Sequence, residues 1–207
     1  MKKILFLFLG GLLSFHFNLS AQDKADKCTI GKFGIYSSVG TNNVFTFQSL
    51  DGAGGYRNDG FFAFGGNYIR NMNQLLDLEI AIEYSKHNVI YTPPFYGDPF
   101  QDMTEKKEEL LLLSLPVTAR VNIGKYFYLN GGILLSFDIS KEKMIDNQTG
   151  VGGILGLGVK YDFDCGISIY INPYSKVNAL IPFSLEKYHQ RVWENGIRIG
   201  LMCDLKK

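Results

Sequence analysis

From residue 76 to 84 apolar and polar side chains alternate. Leu76, Leu78, Ile80, Ile82 and Tyr84 share one face, and Asp77, Glu79, Ala81 and Glu83 share the other. A period of two is the mark of a strand, because successive side chains point to opposite sides of the backbone. The same pattern runs through 114–124, 128–139, 154–163, 165–174 and 194–205, and in weaker form through 31–40 and 60–69. These eight segments have about the 9 to 11 residues that a tilted strand needs to cross a bilayer. Pro116 lies inside one of them and cannot donate to a ladder, which predicts a bulge there.

The connections carry a second pattern. Long polar stretches at 41–58, 92–107, 140–150 and 175–191 alternate with tight turns at 71–74, 124–125 and 162–164. Long loops on one side and short turns on the other predict an all-β fold, an eight-stranded antiparallel up-and-down transmembrane β-barrel. The short turns and both chain ends are expected in the periplasm, with the long loops outside. Alternation does not say which face points outward, since a lipocalin-type barrel carries its apolar face inward around a ligand. Three features favour lipid outside. The apolar face is nearly free of charge. The opposite face is small and weakly polar rather than rich in Lys and Glu. Aromatics such as Tyr84, Phe127, Tyr161, Phe163 and Trp193 gather near segment ends, as in the girdles at bilayer interfaces.

Upstream of the segments, Lys2 and Lys3 precede an apolar run from Ile4 to Leu19, then Ser20 and Ala21. This reads as a secretory signal over residues 1–21, leaving 22–207 as the barrel domain. Its loss would turn 21 bases against 20 acids into 19 against 20. A near-neutral chain argues against nucleic acid as a partner. Cys28, Cys165 and Cys203 are widely spaced with no CxxC pair, so no metal site is expected. Parity puts Cys165 and Cys203 on the same apolar face near the short-turn rim. A disulfide between them is open at this point, because it requires directly opposed residues.

The segments ILGLGVKYDF (154–163) and LSLPVTARVNIG (113–124) resemble the strand-to-turn ends of the small eight-stranded outer-membrane barrel domains of Bacteroidetes-type bacteria. These are porin-family domains, OmpX-like in size, with PorT-like members. The resemblance spans the whole chain after the signal. It implies an integral outer-membrane protein with a structural or surface-binding role. A PorT-like secretion or assembly component and a lipid-modifying enzyme are the alternatives. The chain departs from the group at Leu205-Lys206-Lys207, where such barrels often end on an aromatic residue.

Candidate chemistry is sparse. Ser85 and His87 share a strand face, but without a fixed third member they read as a rim pair, and no catalytic residue is assigned. Glu79, Glu83, Arg120, Lys160 and Arg198 fall on the polar face and are expected to form a lumenal charge network. Glu79 and Arg120 should sit at similar depth and pair. Glu79 and Glu83 lie about 13 Å apart along one strand, too far to share a catalytic water. The interior of an eight-stranded barrel is about filled by side chains, so no open pore is expected. The loop aromatics Tyr91, Phe95, Tyr96 and Phe100 stand among prolines and suit contact with a protein or glycan. Partners are thus outer-membrane lipid and, through the loops, envelope or surface proteins or glycans. No cofactor is expected.

Overall fold

The computed structural model describes residues 29–47, 55–93, 104–141, 145–184 and 189–206. The signal-like segment, Cys28, Phe95, Tyr96 and Phe100 lie outside the described residues. Eight strands follow in order: β1 (Thr29–Phe45), β2 (Gly55–Asn71), β3 (Leu76–Thr92), β4 (Lys106–Ile123), β5 (Phe127–Asp138), β6 (Gly150–Asp162), β7 (Ile167–Pro182) and β8 (Arg191–Lys206). Each pairs antiparallel with its neighbours in sequence, and β1 pairs with β8 to close the barrel. Among the described residues no helix is long and apolar enough to cross a membrane.

The connections alternate as the sequence pattern requires. Residues 72–75, 124–126 and 163–166 make the short turns, and Gly124 and Gly166 adopt φ of 66° and 87° there, where a side chain would be strained. At the opposite end the strands run farther than the alternation suggests. The charged stretch at 105–109 was expected in a loop, yet from Lys106 onward it lies in β4, and β7 continues to Pro182. The backbone ladder propagates where the strict alternation has lapsed, and surface ion pairs accompany it. Lys86 Nζ lies 2.7 Å from Glu109 Oε1, and Arg57 Nη2 lies 3.2 Å from Glu105 Oε2. These exposed pairs fix little energy, of order 0–1 kcal/mol each, but they suit the wet rim.

One local expectation fails. Pro116 makes no bulge. Pairing between β3 and β4 skips Ala81 and Ile82, then resumes in unchanged register at Glu83 and Ser114. The barrel tolerates the missing donor because the rest of the ladder holds the alignment. The irregularity in β7 is instead at Ala179, whose φ is 46° and where two successive residues, Asn178 and Ala179, are buried. Cys165 and Cys203 form no bridge. Cys203 faces Ile167, while Cys165 sits in the preceding turn, and both thiols are free and exposed.

The apolar face points outward. Ile133 and Leu155 are 62% and 61% exposed, and comparable residues line every strand. A barrel in water would not present so continuous an apolar surface. The interior holds polar and charged side chains between three small apolar clusters. One gathers Tyr36, Ile69, Ala81, Tyr128, Tyr170 and Met202; a second gathers Phe61, Ala63, Leu134, Ile154 and Tyr174; the third is Leu110, Leu112 and Val192. Closure of the ladder should keep the unboiled protein compact in dodecyl sulfate. The expected outcome is anomalous mobility on a gel without heating and normal mobility after boiling. Recovery of the protein from the soluble periplasmic fraction, with one heat-independent band, would contradict the outward apolar face.

Candidate functional site: a charged, closed lumen

Each inward position alternates with a lipid-ready one, so the strands themselves deliver the charges to the lumen. Glu79 and Glu83 come from β3, Arg120 from β4, Lys176 from β7, and Glu194 and Arg198 from β8. Six such groups taken from water would be very costly unless paired and hydrogen-bonded. Here they are: three cations face three carboxylates.

Nearer the short-turn end, Arg120 Nη2 donates to Glu79 Oε2 at 2.8 Å. Asn67 Nδ2 donates to the other oxygen, Oε1, at 2.6 Å. Both partners of the ion pair are 2% exposed. The Arg120 guanidinium lies 4.1 Å over the Tyr128 ring and 5.5 Å from the Tyr170 ring. One level up, Arg198 Nη2 donates to Glu83 Oε2 at 2.8 Å, and its guanidinium lies 4.1 Å over Tyr36 and 4.9 Å from Tyr174. Lys176 Nζ bridges Glu83 Oε1 at 2.7 Å and Glu194 Oε2 at 2.8 Å. Asn178 Nδ2 donates to Glu194 Oε1, and Ser136 Oγ donates to Asn178 Oδ1 at 3.0 Å. Aromatic faces and carboxylates therefore share the solvation of both arginines, and Lys176 rests between two carboxylates.

Lys160, expected in the same network, is elsewhere. Its Nζ donates to Asn122 Oδ1 at 2.6 Å, and Asn122 Nδ2 donates to Asp77 Oδ2 at 2.7 Å, so it belongs to a separate chain at the short-turn end. Beside it Lys32 Nζ lies 2.6 Å from Asp162 and 3.2 Å from Asp204. Lys176 and Glu194 were missed as site residues. Lys176 falls in a stretch read as loop, although continuing the parity of Tyr174 would have placed it inward. Glu194 shares its parity with Gly196 and Arg198.

His87 is not the solvated rim residue expected. It is fully buried, stacked on Phe61 with ring centroids 5.3 Å apart. Its Nε2 lies 3.0 Å from Ser85 Oγ and 3.5 Å from Glu194 Oε1. Serine, histidine and glutamate thus meet, but not as a nucleophilic triad. In a triad the hydroxyl and the acid bind opposite ring nitrogens. Here both approach Nε2, and buried Nδ1 has no hydrogen-bond partner among the described residues. Among the described residues no group of three or more His, Cys, Asp or Glu could hold a metal ion.

Buried side chains also tie the strands together at the long-loop mouth. Gln148 is fully buried there; its Nε2 donates to the carbonyls of Asp146 and Gln190, each at 2.7 Å, and its Oε1 accepts from Val192 N at 3.1 Å. At the rim Tyr91 packs on Tyr56 with centroids 5.3 Å apart, and Tyr56 Oη accepts from Gln190 Nε2 at 3.0 Å.

No family model and no curated protein matches the chain. Solved structures do. The outer membrane protein OprG from Pseudomonas aeruginosa is 11% identical, with a TM-score of 0.50 over 86% of this chain and 98% of that one. Ail, the attachment invasion locus protein of Yersinia pestis, solved with the heparin analogue sucrose octasulfate, is 14% identical at a TM-score of 0.49, covering 83% and 98%. The outer membrane protein AlkL, solved in lipid bilayers, is 10% identical at 0.47, covering 86% and 92%. At these identities the likeness to OprG is one of fold. That fold, together with the outward apolar face, supports an integral outer-membrane barrel.

Removing one partner of a buried pair strands the other. Glu79→Ala and Arg120→Ala should each cost about 3–5 kcal/mol of barrel stability, and the double variant much less than their sum. Urea unfolding in lipid vesicles, read as a double-mutant cycle, measures this; additive losses would show that the two do not act as a pair. Packing makes a second demand. A side chain at Gly158 would overlap the Tyr128 ring that shelves Arg120. Gly158→Ala should cost about 1–3 kcal/mol, and Tyr128→Leu in the same chain should recover the part that comes from overlap.

Proposed function

We propose that this chain is an integral outer-membrane barrel, closed to solutes, with a structural or surface-binding role and no catalysis. In this reading residues 1–21 are removed on export, both ends of the barrel lie in the periplasm, and the long-loop rim is the contact surface. The filled lumen carries the reading. Buried ion pairs, four tyrosines and Gln148 occupy the space through which a solute would have to pass. The interior of an eight-stranded barrel is just wide enough for side chains to fill, and here large ones fill it.

The rim supports the contact role. β3 and β4 extend past the apolar belt and hold Tyr91, Lys86 and Glu109 on paired backbone rather than on free loop. A rigid scaffold that displays variable loops is a common setting for recognition. The stretch between these strands carries Phe95, Tyr96 and Phe100 in sequence, and aromatics among prolines suit envelope or surface proteins or glycans. The arrangement at His87 supports the absence of catalysis, since its hydroxyl and acid neighbours contend for one nitrogen and the residue is sealed from solvent.

Two measurements test this. Reconstituted in planar bilayers, the protein should give no steady conductance steps; stable unitary openings would refute a closed lumen. Replacing residues 94–103 by a short Gly-Ser linker should leave heat-dependent gel mobility intact but remove the cross-links that the chain forms to other surface molecules in native membranes. An unchanged cross-linking profile would rule out that loop as the contact surface.

A further inference from the structure

The outward face of β8 changes character in a set order. From the long-loop end its outward positions read Arg191, Trp193, Asn195, Ile197, Ile199 and Leu201. Beside it Phe47, just past the end of β1, is followed down β1 by Phe45, Asn43, Thr41 and Val39. The opposite wall has no such gradation. On β5 the outward positions from Phe127 to Phe137 are apolar or glycine. Asn195 stands opposite Thr41 on one side and Ser175 on the other, so three polar side chains form a row across β1, β8 and β7. Trp193 Nε1 donates to Ser175 Oγ at 2.6 Å. Among the described residues Thr41 and Asn195 have no side-chain partner, which is costly at the edge of a hydrocarbon layer.

Below the row lies a shallow apolar groove of about 700 Å³, lined by Val39, Leu155, Leu157, Pro173 and Ile197 with Thr41 at its upper edge. Pro173 shapes it: pairing between β6 and β7 skips Leu157 and Gly158 opposite this proline and resumes in the same register. Above the row Arg191 is held in place with one edge free. Its guanidinium lies 4.3 Å over the Phe47 ring, Nη1 donates to His189 O at 2.9 Å, and Nε donates to Leu180 O at 3.3 Å. Nη2 has no partner, and no carboxylate pairs with Arg191, among the described residues. Trp193 packs on Phe45 with centroids 6.3 Å apart, an aromatic ledge at interface height.

We propose that this wall binds one phosphate-bearing lipid of net negative charge in the outer leaflet. Arg191 takes the phosphate, Asn195 and Thr41 hydrogen-bond the ester or amide carbonyls, and an acyl chain lies in the groove. The vertical order of cation, aromatic, amide and aliphatic matches the order of groups along such a lipid. A guanidinium fork suits phosphate oxygens. A second copy of the chain fits less well: a two-fold axis along the membrane normal would set one Arg191 against the other with no carboxylate between them. The inference rests on the orientation proposed above, with the long loops outside.

The test uses the full mature barrel in neutral detergent, mixed with phosphatidylglycerol and phosphatidylcholine in equal amounts and read by native mass spectrometry. One phosphatidylglycerol should be retained per barrel, preferred about tenfold or more over phosphatidylcholine. Arg191→Gln should bring the preference close to even, and Asn195→Leu should lower retention of both lipids. Lys86→Gln, the same charge change on another wall, should alter neither. Retention of no lipid, or a preference unchanged in Arg191→Gln, overturns the proposal. A barrel dimer cross-linked through Asn195→Cys assigns the face to a second copy and also overturns it. Heat-dependent gel mobility of the same samples reports the folded barrel, so loss of lipid with mobility intact counts against this site alone.

Discussion

Closure is the constraint from which the rest follows. Once β1 pairs with β8, every strand has two neighbours and the ladder leaves no edge. The interior is then narrow and fixed, and whatever points inward must fit and be satisfied there. That is why Glu79, Glu83, Arg120, Lys176, Glu194 and Arg198 appear as a balanced set, each cation resting on tyrosine rings or between carboxylates. It is also why Gly158 sits where the Tyr128 ring needs room. Outside, the same alternation delivers an aliphatic surface, and one periodicity thus serves two solvents.

The architecture was legible because that periodicity is strict. Along β3 it assigns Glu79 and Glu83 to one face and Ile80 and Ile82 to the other without knowledge of any partner. Strand ends were less legible. Past Tyr84 and above Leu115 the alternation of apolar and polar lapses, while the ladder continues on backbone bonds and surface ion pairs that leave no such imprint. Lys176 was lost with that boundary. Parity puts Lys160 on the lumenal face, but it gives a side and not a height. Its neighbours proved to be Asn122 and Asp77.

His87 shows why constellations read from sequence need geometry. Ser85 and His87 do meet, and an acid joins them from β8, more than a hundred residues away in sequence. Yet chemistry depends on which nitrogen faces which group. Two partners at Nε2 and, among the described residues, none at Nδ1 make a packed polar core element rather than a relay. Regularity gives way instead at the long-loop mouth, along the extended rim of β3 and β4, and on the graded outward face of β8.

The charge lock spans great distances along the chain. Glu83 on β3 meets Lys176 on β7 and Arg198 on β8, 93 and 115 residues later. None of these contacts can exist in a growing hairpin or a half-curled sheet. During assembly the future lumenal face must carry unpaired charges, so a partly assembled sheet is repelled from the hydrocarbon on that side while its other face seeks it. Insertion and closure are thereby tied together. Native electrostatics arrive in the last act of folding, after most of the loop-closure entropy has been lost. The lock should therefore contribute little to the rate at which the barrel forms and much to the slowness with which it opens, giving the molecule a persistence in the membrane that is kinetic in origin.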